Sequence, residues 1–331
     1  MDAYFVCLAN SLKRGGRCIA GVEVTVAEGR WTVVKKTDGT PKWIRPIDAI
    51  TDYGEITLVE AKAIQLLSVV KLQGVMPVPA QAHQEDVHYT QMKVVGKVSP
   101  SEPVLRQFLD TFHSVLLYGT DRAVSVETYE RADHSLMFVH ADRSEIVADV
   151  REDKTRYRML LGYKGVTYDL AVTDPDFIEK LNEGQISVGV QKDLYVTISL
   201  GLVYEGRHHK LVAAVVYATS GTASDEILPT DVRINREVSF RPFTKAERKT
   251  VKHAFVVPSR SGLAVCFRRK NGGEDFLPLS QVDKVKPWKR ISLKTAAVVT
   301  YEDGTTKVRI HERKTIRERF LHFIKSRFGL N

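Results

Sequence analysis

Ala3-Tyr4-Phe5-Val6-Cys7-Leu8-Ala9 and Arg17-Cys18-Ile19-Ala20-Gly21-Val22-Glu23-Val24-Thr25 are two strand-like runs on either side of a glycine turn, and they set the rhythm of the chain. Apolar, β-branched and aromatic residues in short runs bounded by Gly and Asp favour extended backbone. Residues 30–36 continue the pattern. Residues 42–47 follow after Asp38-Gly39, a dipeptide typical of tight hairpins. Runs at 67–70 and 93–97 complete a first β set.

Between Pro103 and Tyr118 the apolar positions Leu105, Phe108, Leu109, Phe112, Val115 and Leu116 recur at helical spacing, which predicts an amphipathic helix. A second β set follows at 136–140, 146–150, 157–163, 166–173, 194–200 and 210–217. Thr173-Asp174 opens a short helical turn at 177–181, where an aspartate or threonine can cap free N–H groups. Two sets of comparable length and rhythm imply two related β barrels joined by a helix.

Residues 219–224 are small and polar and read as a linker. Further short runs at 238–243, 254–258, 263–269, 275–279, 296–301 and 306–311 turn at Asn271-Gly272 and Asp303-Gly304. They read as a small barrel, SH3-like or a third oligonucleotide-binding fold. A terminal helix is expected over 316–328, with Ile316, Phe320, Phe323 and Ile324 on one face and Arg317, Arg319, Lys325 and Arg327 around it. It serves either as a helix docked on its own barrel or as a basic helix offered to a phosphate backbone. The fold class is therefore mainly β. The plan is a first barrel over 1–100, a connecting helix and loop over 101–132, and a second barrel over 133–218. A linker over 219–236 and a basic module over 237–331 complete it.

Charge divides along the same line. Residues 221–331 hold 24 of the 49 Lys and Arg but 12 of the 40 Asp and Glu, and the remainder carries a net charge of −3. A basic module of this kind suits an acidic partner, of which nucleic acid is the commonest. The near-neutral remainder suits a pocket for one nucleotide or base better than an extended backbone track. Hydrophobic content of 43% supports ordinary cores, and no apolar run approaches the ~20 residues of a membrane span. The start lacks a basic region ahead of its apolar stretch and reads as a strand. Three widely spaced cysteines, Cys7, Cys18 and Cys266, fit a reducing cytoplasm.

Lys13-Arg14-Gly15-Gly16-Arg17 places cations around a glycine turn, which reads as a basic β-turn or a phosphate cradle. Neither GxxxxGK[ST] nor GxGxxG is present, so no nucleotide-cofactor fingerprint exists. Trp43 and Arg45, at i and i+2 of a strand, share a face and can stack a base and meet its phosphate, with Trp31 beside them. The alternative is a half-buried core tryptophan with an arginine at its rim. His83, Glu85, Asp86 and His88 form the densest polar cluster, but their spacing matches no zinc signature. His208 and His209 read as a solvated turn or as phosphate contacts. In the last third, Phe267-Arg268-Arg269-Lys270 and the stretch with Lys286, Trp288, Lys289 and Arg290 interleave rings with cations. Rings take bases and cations take the backbone of a single strand. Arg317 and Arg319 extend that surface.

Three segments in order, Cys7-Leu8-Ala9-Asn10-Ser11, Gly15-Gly16-Arg17-Cys18-Ile19-Ala20-Gly21 and Trp43-Ile44-Arg45-Pro46, resemble the opening of the bacterial and archaeal dual OB-domain proteins. Gln84-Glu85-Asp86, Tyr168-Asp169-Leu170, Thr173-Asp174-Pro175, Ser199-Leu200-Gly201 and Lys210-Leu211-Val212-Ala213-Ala214 extend the resemblance over about residues 1–218. It implies two consecutive oligonucleotide-binding (OB) barrels, a nucleic-acid or nucleotide ligand, and service in prokaryotic genome-conflict systems. It implies no settled catalytic activity, and 221–331 is an added module.

The expectation is a non-enzymatic binder of DNA or RNA without cofactor or metal, working beside a nuclease or helicase. An assembly adaptor is the alternative. A metal-assisted phosphodiesterase using His83, Glu85, Asp86 and His88 comes third.

Overall fold

A computed structural model describes residues 2–13, 16–49, 51, 53–151, 154–233, 237–259, 262–270, 274–278, 291–293, 296–301 and 306–310. The chain divides into two compact units, one of residues 1–47, 55–57 and 61–234, the other of 48–54, 58–60 and 235–331. No described helix is long and apolar enough to cross a membrane.

The larger unit opens with β1 (Ala3–Lys13), β2 (Gly16–Ala27), β3 (Arg30–Val33) and β4 (Trp43–Pro46). After α1 (Leu58–Ala61), whose first three residues fall in the smaller unit, it continues through β5 (Ser68–Gln73), β6 (Met76–Pro77), β7 (Asp86–His88) and β8 (Gln91–Lys97). Hydrogen bonding runs β8-β5-β1-β2-β4-β7. Only Tyr89 and Thr90 separate β7 from β8, so the two ends of this path are one bent strand and the sheet closes on itself. The closing pair, β4 with β7, is parallel, with Arg45 opposite Asp86. A bulge between Cys7 and Ala9 bends β1, whose first residues pair with β5 while its whole length pairs with β2.

The second barrel repeats this plan. After α2 (Glu102–Leu105), β9 (Ala123–Ser125) and α3 (Val126–Glu130) come β10 (Leu136–His140), β11 (Arg143–Arg151), β12 (Lys154–Tyr163) and β13 (Val166–Val172). Then follow α4 (Pro175–Asn182), β14 (Gly189–Gln191), β15 (Leu194–Tyr204) and β16 (Arg207–Tyr217). The path runs β10-β15-β16-β13-β12-β11. Here β10 and β11 are the two halves of one strand. At the joint, the Ala141 N–H donates to Leu194 O (2.9 Å) and the Asp142 N–H to Gly162 O (2.9 Å), one to each neighbouring strand. Again the closure is parallel, Ala171 opposite Leu211. In each barrel a helix lies in the chain between the third and fourth strands. Asp174 caps α4 by accepting from the N–H groups of Asp176 and Phe177 (3.1 Å each). Two closed five-stranded barrels of this order are the OB topology that the resemblance implies.

β1 reads as a continuous apolar run because both its faces are covered. Phe5 and Cys7 point into the first barrel's core with Ile19, Ile44 and Val70. Val6 and Leu8 point the other way, into a cluster holding Leu136, Phe138, Tyr195 and Val216 of the second barrel. β10 mirrors this, with Met137 and Val139 inside its own barrel. The barrels thus share a third core. Across it the Leu12 N–H donates to Thr173 O (2.8 Å), and the Thr197 hydroxyl donates to Leu8 O.

Two expectations are corrected. The helix predicted over 103–118 stops early: α2 gives way to a 3-10 turn at Arg106–Phe108. Asp110 then accepts from the N–H groups of Phe112 (3.2 Å) and His113 (3.1 Å), a local alternative to helical bonding. Leu116 and Leu117 are buried, but Phe112 is 60% exposed, so the apolar spacing does not trace one face. The linker expected over 219–236 contains β17 (Leu228–Arg233), which pairs antiparallel with β8. The Trp31 N–H donates to Asp225 O (3.0 Å) and the Ile227 N–H to Gly29 O (2.9 Å), so the chain returns to the first barrel before it leaves. Polar composition suits an edge strand as well as a linker.

The smaller unit contains β18 (Glu237–Pro242), α5 (Lys245–Thr250), β19 (Val251–Ser259), β20 (Gly262–Arg269), β21 (Glu274–Pro278), β22 (Ala296–Tyr301) and β23 (Thr306–Ile310). They form two three-stranded sheets, β18-β22-β23 and β19-β20-β21. One core, with Phe243, Val265, Phe267, Val298 and Val308, draws on both. Thr244 and Glu247 make a reciprocal capping box at the start of α5. The helix expected over 316–328 lies outside the described residues.

Candidate nucleic-acid interface

Strands β12 and β13 are the second and third of their barrel, and their outward side chains follow from the pleat. Tyr157, Met159, Tyr168 and Leu170 point into the core, which leaves Arg156, Arg158, Asp169 and Ala171 outside. Register sets these in rows: Asp149 faces Arg156, Val147 faces Arg158, Arg158 faces Ala171, and Ala171 faces Leu211.

The hairpin joining β15 to β16 turns at Glu205 and Gly206, both with positive φ (51° and 73°), and brings Tyr204 to this face. The result is a cleft of about 360 Å³ that Arg122, Arg156, Arg158, Tyr204 and His209 line among others. Arg158 donates from Nε to Asp169 Oδ1 (2.6 Å), which fixes its guanidinium. Tyr204 is 64% exposed, its ring centroid 5.9 Å from that of His209. Lys210 also borders the cleft, but its side chain is buried and its Nζ donates inward to Gly119 O (2.6 Å). Burial pushes that amine down to about 8. In oligonucleotide-binding barrels the second and third strands, with the loops after the first and fourth, form the ligand face. The cleft occupies that position.

Trp43 and Arg45 are placed differently from the surface reading. Both are buried, because every residue of β4 is covered. Trp43 joins the core between the barrels, and Trp31 stacks on Phe108 at 5.0 Å. Arg45 Nε donates to Asp86 Oδ1 (2.5 Å), and its Nη1 reaches Ser135 Oγ (3.3 Å) and lies 3.8 Å from Glu85 Oε1. The Ser135 hydroxyl donates in turn to Glu85. Burial disfavours the guanidinium charge, but Glu85 and Asp86 outweigh it and hold Arg45 firmly protonated.

The histidines of that cluster are packed with it. His83 lies edge-on to Tyr129 (5.5 Å), which stacks flat on His208 (3.6 Å). Burial, then the charge of Arg45, drive His83 down to about 2, and its buried Nε2 has no hydrogen-bond partner. Glu85 and Asp86 are thus committed to Arg45. Among the described residues no group of three or more His, Cys, Asp or Glu side chains is placed to hold a metal ion.

Lys13 and Arg17 stand half-buried at one hairpin end. Gly16 there approaches Ile56 of the chain itself: a Cβ would sit 2.4 Å from the Ile56 oxygen. Cys7 faces Gly21 and Cys18 faces Ser11, three positions apart along β1–β2, and burial pushes the Cys7 thiol up to about 12. Arg268, Arg269 and Lys270 are exposed at the end of β20, whereas the neighbouring Phe267 is core. Arg14, Lys286, Trp288, Lys289, Arg290, Arg317 and Arg319 lie outside the described residues. The cleft on the second barrel was missed from the sequence. Its signal is the alternation Arg156-Tyr157-Arg158, two cations flanking a core aromatic at strand period.

Comparison with protein families places residues 4–215 in the family described as the dual OB-containing domain. A search of the curated proteins found no match.

Proposed function

Because the chain belongs to the dual OB-containing domain family, we propose that it is a nucleic-acid-binding protein that reads a single strand in the cleft of its second barrel. The observation that carries this is the position of the cleft, on the outer face of β12 and β13 beside the β15–β16 hairpin. Arg122 and Arg156 supply exposed cations for phosphate, Arg158 a fixed guanidinium, and Tyr204 a ring on which a base can stack. A bounded cleft also fits the near-neutral charge of the barrels. The basic C-terminal unit, with Arg268, Arg269 and Lys270 exposed, adds sequence-independent phosphate affinity. The protein binds and positions, and a nuclease or helicase partner in a prokaryotic defence system performs the chemistry.

Fluorescence anisotropy with labelled single- and double-stranded DNA and RNA, titrated with salt, tests the reading. Arg156→Ala/Arg158→Ala is expected to weaken single-strand binding and to flatten its log–log salt slope by about 1 to 2. A slope unchanged by this variant removes the cleft from the interface. The adaptor reading has one observation in its favour. Val188 and Val190 at the β14 edge, and Leu202 and Val203 on the hairpin, are each 41–59% exposed. Binding of a protein partner that is insensitive to salt, with no nucleic-acid binding, would select it.

A further inference from the structure

The smaller unit holds a concavity of its own. The start of β19 lies beside Ile291, whose N–H donates to Ala254 O (2.9 Å), and between them opens a pocket of about 220 Å³. Its floor is Val251, Ala254, Ile291 and Leu293, which belong to or pack on the core. Its walls are Arg248, Lys252, His253 and Ser292, and no Asp or Glu is among the described residues that line it. Arg248 Nη1 donates to Phe243 O (2.9 Å), the one hydrogen bond of its guanidinium among the described residues, and a guanidinium has further N–H groups to offer a ligand.

The strand pairing concentrates further charge here. Val251 faces Arg269, His253 faces Arg268, and the Lys270 N–H donates to Thr250 O (3.0 Å). Lys249, Lys252, Arg269 and Lys270 are exposed around this strand end, as is Arg268, which faces Glu274 on its β21 side. The nearest carboxylate in sequence, Glu247, accepts from the Thr244 N–H (2.7 Å) in the capping box.

A pocket smaller than those that hold drug-sized ligands, apolar below and cationic at its walls, suits one compact, highly charged group. A backbone phosphodiester carries one negative charge. A terminal phosphate carries about −1.5 to −2 at neutral pH and three strong acceptor oxygens. Donors converging from several sides favour the terminal group, whereas a flat basic stripe favours neither.

We propose that this pocket is a phosphomonoester site, taking the terminal phosphate of a nucleic-acid strand or of a free nucleotide between Arg248 and Lys252. The choice of a nucleotide as carrier rests on the nucleic-acid reading above; the pocket and its charge do not.

The test uses the full chain and a labelled twelve-nucleotide DNA strand, with a 5′-phosphate or a 5′-hydroxyl. The phosphorylated strand is expected to bind about tenfold more tightly, which corresponds to about 1.4 kcal/mol. Lys252→Ala, at an exposed position, is expected to bring that ratio close to one, and Lys252→Arg to keep it. Arg156→Ala/Arg158→Ala weakens both strands and keeps the ratio. If both strands bind the wild type equally, or the ratio survives Lys252→Ala, the pocket proposal is overturned and the nucleic-acid reading stands. If neither strand binds, that reading fails, and adenosine monophosphate against adenosine decides the pocket. A rise in Tm with the monophosphate alone, lost in Lys252→Ala, upholds it, and no rise overturns it.

Discussion

Arg45 Nε lies 2.5 Å from Asp86 Oδ1 and His83 Nδ1 lies 3.9 Å from Asp86 Oδ2, and each shows what burial does to a polar residue. Arg45 keeps its charge because two carboxylates and Ser135 surround it. His83 gives its charge up, since burial and Arg45 both oppose it. Its proton affinity rises on unfolding, from about 2 to an ordinary 6.5. The unfolded chain therefore binds more protons below pH 6.5, and the stability that His83 contributes, full above 6.5, is lost as pH falls. Urea titrations at pH 7 and pH 5.5 should show the wild type losing about 1 kcal/mol more than His83→Phe. Equal losses would refute the assignment. The sequence places Arg45 correctly on a strand with Trp43, but strand period alone does not say whether one face or both are covered. Glu85 and Asp86, forty residues on, are what draw the arginine inside.

At the scale of elements, most strands are legible because their residues alternate or run apolar between turn formers. β10 and β22 match their expected bounds, and Asp174 caps the helix it was expected to cap. What escapes is short or non-local. β7 and β9 have three residues each, too few to show a period, and β17 is polar enough to pass for a linker. The docking of β17 nonetheless has a local signature. A Cβ on Gly96 would lie 2.2 Å from Ile227 Cγ2 and 2.6 Å from Leu228 O. Gly96→Ala is expected to lift β17 from β8 and leave the barrels folded. Amide exchange would report it as lost protection confined to the β8–β17 ladder. Uniform loss through both barrels would mean that the strand is integral to them.

For the whole molecule, the core shared by β1 and β10 makes the two barrels one cooperative body. A fragment of residues 1–218, though it holds the whole of the family match, lacks β17 and bares the β8 edge. It is expected to melt at lower temperature and to self-associate more readily than a fragment of residues 1–234. Differential scanning calorimetry and light scattering on the two compare them directly, and identical behaviour would refute a covering role for β17. The division of charge between units was readable from composition alone. The cleft was not, because it is assembled from β11, β12, β13 and β16 by a register that only the closed barrel fixes. The pairing of β17 with β8 also has a consequence in time. A ribosome finishing β8 still has about 130 residues to translate before the covering strand appears, some 10 s at ordinary elongation rates. Throughout that interval the first barrel waits with a bare edge while the whole of the second is made, so a nascent chain stalled near residue 220 is the form of this protein most exposed to wrong strand pairing.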